Sequence, residues 1–355
     1  MSWVFGEAIR NLVTGTTKPI RLVFLFVLAC IIPTMADLLT VQSLMQEALR
    51  YRDSGAATIT VLSPGRIKGD VCDDLSQVPS VIASGAIRHD DNSYSSVAMP
   101  NGVIASYSIT EGALSVFRVD NMNEGGVAIS STVAFTLGIA PGDSLVLTTG
   151  RTTVRGVYDW PNDGRRPGFD FAMLIPVPTS ELFDECWVTT WPMTESVQTL
   201  LNLSIDNSAG DTNARTEYSQ VNSALGKEFT GTERFNHRMT QFASVIVFGL
   251  TGLLSFVMVW SRRLELSSAQ HVGVTWWAQL TQLLVEHGIC FLVGSGIILG
   301  INAMIIASIV PVDTEGLWSI AWRNLAYALY GSLAGLVMTS CMITPKRLFR
   351  YFKVR

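Results

Sequence analysis

Charge is what this sequence has least of: only 15% of its 355 residues are Asp, Glu, Lys or Arg. With a mean hydropathy of +0.33 the chain is too apolar for a pair of ordinary soluble domains, and membrane spans explain the excess. The formal charge of -4 is mild, so a nucleic-acid partner, which needs a concentrated basic surface, is excluded. Histidine is scarce too. His89, His237, His271 and His287 are scattered, with no His-Glu-x-x-His pair of the kind that holds zinc on a helix face. His89-Asp90-Asp91 has no third ligand at matching spacing, so it reads as a solvated turn and no metal site is expected. There is no Gly-x-x-x-x-Gly-Lys-Ser/Thr loop, and Gly226-Lys227 lacks the upstream glycine and runs into Glu228. The chain therefore does not itself cradle ATP phosphates. Without a nucleophile elbow either, no catalytic residue is assigned. The five cysteines form no Cys-x-x-Cys.

What is present is long apolar runs. Residues 1–19 carry Trp3, Val4, Phe5, Ala8, Ile9, Leu12 and Val13 every three to four positions, which predicts an amphipathic helix on the inner leaflet. Residues 20–42 are long enough to span, and the run reads as an uncleaved first span rather than a signal peptide. Pro33 lies inside it and is expected to bend it. Leu44, Met45, Ala48 and Leu49 continue the helical pattern into a stalk. Further spans are expected at 241–260, 288–310 and 319–343. Arg10, Lys18 and Arg21, then Arg262 and Arg263, then a basic tail at 344–355 fall on one side, whereas the short loop 311–318 has only acids. The positive-inside rule puts both termini in the cytoplasm and the segment between spans 1 and 2 outside. Arg323, Glu286 and His287 are the ionisable groups in or beside the spans, all near ends where a side chain can reach water. Gly296 to Gly300 and Gly331 to Gly335 have the spacing that lets helices approach closely in lipid, supporting a bundle or a dimer.

Residues 43–240 change to Gly, Ser, Thr, Asp and β-branched composition, long enough for their own core. Strands are expected at 58–62, 81–88, 103–109, 144–149, 152–158 and 171–176, and helices at 130–137, 180–184, 196–203 and 216–229, the last continuing to 241 as a second stalk. The fold class is a membrane protein of four transmembrane α-helices with a large α+β extracellular or periplasmic domain between spans 1 and 2. Asp159 to Gly168 is its most polar and turn-rich segment and reads as a solvated loop, with contact to an external protein partner as the alternative. Cys72 and Cys186 fall in this domain, outside the cell, where a disulfide can persist, so they are a candidate pair. Cys30, Cys290 and Cys341 lie in apolar runs.

Residues 261–287 carry the densest signal. Arg262-Arg263-Leu264-Glu265-Leu266 is followed by Val272-Gly273, then by Trp276, Leu280, Leu283, Leu284 and Glu286. The apolar positions recur at helical spacing, as in a short cytoplasmic helix that either meets a partner or lies as an interfacial linker. The segment resembles the loop between spans 2 and 3 of MacB/FtsX-type ABC permeases, in which Arg-Arg-x-Glu precedes a Gly and a Glu opens the third span. Glu265, Gly273 and Glu286 keep spacings of 8 and 13 residues. The basic residues often found around that Gly are missing, with Gln270, His271 and Thr275 nearby instead. In the large domain, Leu137-Gly138, Pro141-Gly142-Asp143 and Val154-Arg155-Gly156-Val157 resemble the MacB-type external domain.

The resemblance implies a mechanotransmitting permease without its own ATPase domain, in the bacterial plasma (inner) membrane. It implies a homodimer, or a heterodimer with a similar permease, and two copies of a separate ABC ATPase subunit that carries ATP and Mg; this chain itself needs no cofactor. Arg262, Arg263, Glu265, Leu266, Val272, Gly273 and Glu286 are then the ATPase-coupling residues. Export or extraction of a peptide, lipoprotein or lipid-like substrate is the leading task. An FtsX-like regulator of a cell-wall hydrolase, or a receptor or adaptor with no energy source, is the alternative.

Overall fold

The computed structural model describes residues 2–90, 94–120, 125–193, 196–208, 215–308 and 314–345. The chain divides into two compact units, Met1–Gln46 with Gly231–Arg355, and Glu47–Thr230.

In the first unit, helix α1 (Ser2–Val13) precedes α2 (Pro19–Asp53). Pro19 opens α2 at the position where a missing N–H costs nothing. Pro33 lies inside the helix, which runs on through the expected stalk to Asp53.

The second unit takes the chain through β1 (Thr58–Lys68), α3 (Gly69–Asp74), β2 (Val81–His89), β3 (Tyr94–Ser96), β4 (Met99–Ile109), α4 (Glu111–Val116) and β5 (Val127–Ser130). It continues with α5 (Ser131–Leu137), β6 (Ser144–Leu147), β7 (Gly150–Tyr158), β8 (Ala172–Pro176), β9 (Leu182–Thr190), α6 (Val197–Leu203) and β10 (Glu217–Gln220). The strands pair in the order β10-β1-β9-β2-β4-β3-β6-β7-β5-β8, and a parallel β4–β8 ladder closes the run from β4 to β8 on itself. Ile104, Ile129, Val133, Leu145, Val154 and Met173 form one core there. The helix expected at 130–137 is present as α5: the Ser130 hydroxyl caps it by accepting from the Val133 N–H, and Gly138 ends it in the left-handed region.

A disulfide joins Cys72 of α3 to Cys186 of β9, Cα to Cα 5.9 Å, inside a second core. A third core is aromatic: Phe117 packs on Tyr158, Trp160, Phe169 and Trp187. The Asp159–Gly168 segment is exposed at nearly every position, as expected of a solvated loop, with one exception. Its Trp160 is buried, and Trp160 Nε1 donates to the Arg166 carbonyl at 2.9 Å. Asp90 of the His-Asp-Asp run accepts from the Ser108 hydroxyl; Asp91 lies outside the described residues.

Two expected helices are not helices. Residues 180–184 look helical because Glu181 and Leu182 are good helix formers, but Leu182–Thr190 pairs with β1 on one side and β2 on the other. Ladder pairing on both edges overrides a weak local preference. Residues 216–229 mimic a helix because Val221, Leu225 and Phe229 are four apart. Glu217–Gln220 instead pairs with β1, Leu225 is exposed, and Gly226 has a positive φ. No second stalk helix runs from 216 to 241.

The first unit resumes with α7 (Gly231–Asn236), α8 (Ala243–Ser261), α9 (Arg263–His271), α10 (Trp276–Ser308) and α11 (Thr314–Met342). Among the described residues, the helices long and apolar enough to cross a membrane are α2, the stretch that ends in α8, α10 and α11. The α+β domain is thus inserted between the first and second of four candidate spans. Residues 314–318, expected as loop, already belong to α11. The rest of the 311–318 loop, and the basic tail from 346 on, lie outside the described residues.

Candidate functional site

The expected interspan helix of 261–287 is two helices with a turn between them. Gly273 makes the turn. Its φ of +103° is the left-handed region that favours glycine, and the Val274 N–H reaches back to the Ala269 carbonyl at 3.1 Å, the bond that closes a Schellman-type helix end. Nothing described lies within 4 Å of a Cβ built there, so the constraint at Gly273 is conformational. The residues from Trp276 on already form the start of α10, which is why the apolar repeat ran unbroken across the turn.

Glu286 sits on α10 with no solvent exposure. It receives four side chains. Arg262 Nη1 donates to Oε2 at 2.5 Å and Thr17 Oγ1 to the same oxygen at 3.2 Å; Asn11 Nδ2 donates to Oε1 at 2.8 Å and Gln282 Nε2 at 3.0 Å. Arg262 uses its other nitrogens on Glu265, Nε at 3.0 Å and Nη2 at 2.7 Å. A guanidinium pinned between two carboxylates, one buried and one half-exposed, is geometrically fixed by its fork of donors. Burial opposes the charge on Arg262, but the facing Glu265 and Glu286 more than offset it and hold its pKa above the ordinary value.

Leu266 anchors the apolar side of α9, packing with Val259, Leu280, Leu283 and Leu336. Gln279 Nε2 donates to the Leu266 carbonyl at 2.5 Å, and Gln270 Nε2 to Gln279 Oε1 at 2.8 Å. The Arg263 guanidinium lies over the Trp260 ring, 5.5 Å from its centroid. Val272 is 87% exposed and takes no part in the cluster. Of the expected coupling residues, Arg262, Glu265 and Glu286 meet directly, and Leu266 fastens the helix they hold. Gly273 shapes its end, and Val272 and the exposed side of Glu265 are left facing outward.

Asn11 and Thr17 carried no signal in the sequence, being ordinary polar residues at the start of the chain. Asp37 did carry one, as an acid inside the first apolar run, and was missed. It is fully buried on α2, where its Oδ1 accepts from Arg238 Nε at 2.9 Å and its Oδ2 lies 3.7 Å from Arg323 Nη2. Arg323 also donates to Ser244, Ser244 to Asn324, and Asn324 to Thr34. Neither Asp37 nor Glu286 reaches water; both are paired inside the bundle. The neighbouring His287 is buried as well, and its Nδ1 donates to the Leu283 carbonyl at 3.1 Å.

The glycines divide. A Cβ on Gly331 would lie 2.2 Å from the Phe248 carbonyl oxygen, and one on Gly335 would lie 2.1 Å from that of Gly252; they seat α11 against α8. Nothing described lies within 4 Å of a Cβ at Gly296 or Gly300, so this pair packs against no helix among the described residues. The α10 glycine that does is Gly294, under the Phe26 ring.

No family model matches the sequence, and no curated protein matches it. Among solved structures the chain is similar to the periplasmic region of MacB from Actinobacillus actinomycetemcomitans, with a TM-score of 0.35 and 11% identity over 48% of this chain and 92% of that one. It is similar to the extracellular domain of the noncanonic ABC-type transporter YknZ from Gram-positive bacteria, with a TM-score of 0.31 and 17% identity over 46% of this chain and 100% of that one. A domain of a permease protein from Porphyromonas gingivalis gives a TM-score of 0.30 and 14% identity over 46% of this chain and 90% of that one.

Proposed function

We propose that this chain is the membrane subunit of a MacB/FtsX-type ABC transporter, driven by a separate ATPase bound in two copies, and that it does mechanical work through its α+β domain. The observation that carries this reading is the fastening of α9. Arg262 at its start is tied to Glu286, and Glu286 in turn holds Asn11 and Thr17. A push on the exposed side of α9 is thereby delivered to α10, to α1 and to the foot of α2. From there α2 runs as one helix of 35 residues, about 50 Å at the usual rise. The second connection is not a continuous helix, so α2 is the stiff element of the relay.

The spacing of Glu265, Gly273 and Glu286 supports the same reading, as does an architecture with one inserted domain after the first span. The task within this class is export or extraction of a peptide, lipoprotein or lipid-like substrate, by a homodimer or a heterodimer with a similar permease. Both termini and α9 face the cytoplasm of the bacterial plasma membrane, and ATP and Mg act in the partner chain.

Co-purification tests the reading. A Walker-A ATPase encoded beside this chain is expected to be retained by it, and to be lost with Glu265→Arg or Gly273→Trp. Retention of no ATPase, with the function of the α+β domain intact in both variants, would support a receptor or adaptor without an energy source.

A further inference from the structure

Helix α1 divides its surface three ways. Ala8 and Asn11 are buried, and Asn11 is tied to Glu286 at 2.8 Å. Phe5, Ile9 and Val13, four residues apart, form a stripe that stays exposed. Glu7 and Arg10 pair with each other at 2.6 Å on the remaining side. A short helix with one face on the bundle, one bare apolar stripe and one charged face suits a membrane surface.

The turn from α1 into α2 adds charge beside that stripe. Lys18 stands just before Pro19 in the left-handed region, with a φ of +50°. Its backbone is held from both directions: the N–H donates to the Gly15 carbonyl at 2.9 Å, and the carbonyl accepts from the Leu22 N–H at 3.1 Å. The Lys18 and Arg21 side chains are exposed, and among the described residues neither has a hydrogen bond or an ion pair.

The other charges at this end of the bundle leave that pair uncompensated. Glu7 is held by Arg10, while Glu265 and Glu286 both face Arg262, with Arg263 at the next position. Arg10, Lys18, Arg21, Arg262 and Arg263 thus stand against three acids, a positive surplus of two. A ligand for the turn is an anion.

The apolar surroundings say which anion. Val13 and Ile20, on either side of the turn, are 82% and 86% exposed, and Phe24, one helical turn further along α2, is exposed as well. Because α2 is long and apolar enough to cross a membrane, Lys18 and Arg21 at its start lie at the level of phospholipid headgroups. An anion that carries acyl chains can cover both the basic turn and the apolar stripe. A free ion can cover only the first.

We propose that the turn between α1 and α2 binds the headgroup of an anionic phospholipid, with Lys18 and Arg21 as its ligands and the acyl chains lying along Phe5, Ile9 and Val13. The same turn carries Thr17, whose hydroxyl donates to Glu286 at 3.2 Å. Bound lipid therefore braces α1 from outside, opposite the carboxylate that holds it from inside. The site rests on α2 crossing a bilayer and stands whether or not an ATPase drives the chain.

The test titrates the full-length chain in detergent with phosphatidylglycerol and with phosphatidylcholine, scoring bound lipid by native mass spectrometry and recording the melting temperature with each. It compares the wild type, Lys18→Gln with Arg21→Gln, and Ile9→Gln; an unchanged melting temperature in phosphatidylcholine checks that the variants are folded. The wild type is expected to prefer phosphatidylglycerol by about tenfold or more, as two basic side chains at a membrane surface imply, and to melt higher with it. The double variant is expected to lose both the preference and the difference in melting temperature. Ile9→Gln keeps both cations and is expected to bind the two lipids more weakly with the preference intact. Equal retention of the two lipids by the wild type, a preference undiminished in the double variant, or wild-type binding by Ile9→Gln overturns the proposal.

Discussion

Asn11 and Glu286 are 275 residues apart in sequence, and the Asn11 amide donates to the Glu286 carboxylate at 2.8 Å. With Arg262 on the other oxygen, this contact makes one knot of the amphipathic helix, the third span and the helix between spans 2 and 3. Removing one member of such a buried pair leaves the other charge unmatched, at a cost of about 3–5 kcal/mol. Glu286→Ala is expected to lower stability by that order in chemical or thermal unfolding in detergent. Arg262→Met with Glu286→Leu is expected to fall closer to wild type, because no lone charge remains. Equal losses for the single and double variants would contradict the pairing.

Gly331 and Gly335 are expected to tolerate no side chain. Gly335→Leu must displace the α8 backbone at Gly252, and overpacking of this kind costs about 1–3 kcal/mol. Gly300→Leu, whose Cβ meets nothing among the described residues, is expected to leave the unfolding midpoint of the monomer unchanged. Its effect on self-association, read by sedimentation, reports whether that face of α10 meets a second copy.

The disulfide closes a loop with a sequence separation of 114. Cys72→Ser with Cys186→Ser is expected to destabilise the α+β domain by about 2–5 kcal/mol. Differential scanning calorimetry with and without reductant checks it: the reductant should lower the wild-type transition and leave that of the variant in place.

Asp206 should titrate well below an ordinary aspartate, at about 2. The Ser208 hydroxyl and backbone N–H are the larger cause and Lys68 the smaller. A depressed carboxylate pKa contributes stability that is present above the unfolded value near 4 and lost as pH falls toward 2. Carboxyl NMR of the labelled chain should place the midpoint near 2 in the wild type. Ser208→Ala should raise it more than Lys68→Ala does.

Much of this architecture was legible because lipid and water impose strong patterns. The apolar runs marked all four candidate spans, although α10 begins at Trp276, 12 residues before the expected 288. The errors share a cause. Leu182–Thr190 and Glu217–Gln220 owe their form to partners distant in sequence, so local preference pointed to helix. The site was half legible: Arg262, Glu265 and Glu286 stood out as charges beside apolar runs, and the Arg262–Glu265 contact follows from their i,i+3 spacing on one helix, whereas Arg262 reaches Glu286 only through tertiary packing. Asn11 and Thr17 reach Glu286 only through the tertiary packing of α1 on α10, which no periodicity encodes. Asp37 was visible as an acid in a span, and only its buried pairing with Arg238 shows why it is tolerated there.

In the proposed mechanism α9 receives the work of an ATPase and passes it on through Arg262 and Glu286. That transfer is tested most directly by the ATP hydrolysis rate of the candidate ATPase reconstituted with this chain, comparing wild type with Glu265→Arg and Gly273→Trp. The wild-type chain is expected to alter the rate, and both substitutions to abolish the change. A rate indifferent to the chain, or a wild-type response in both variants, would contradict it.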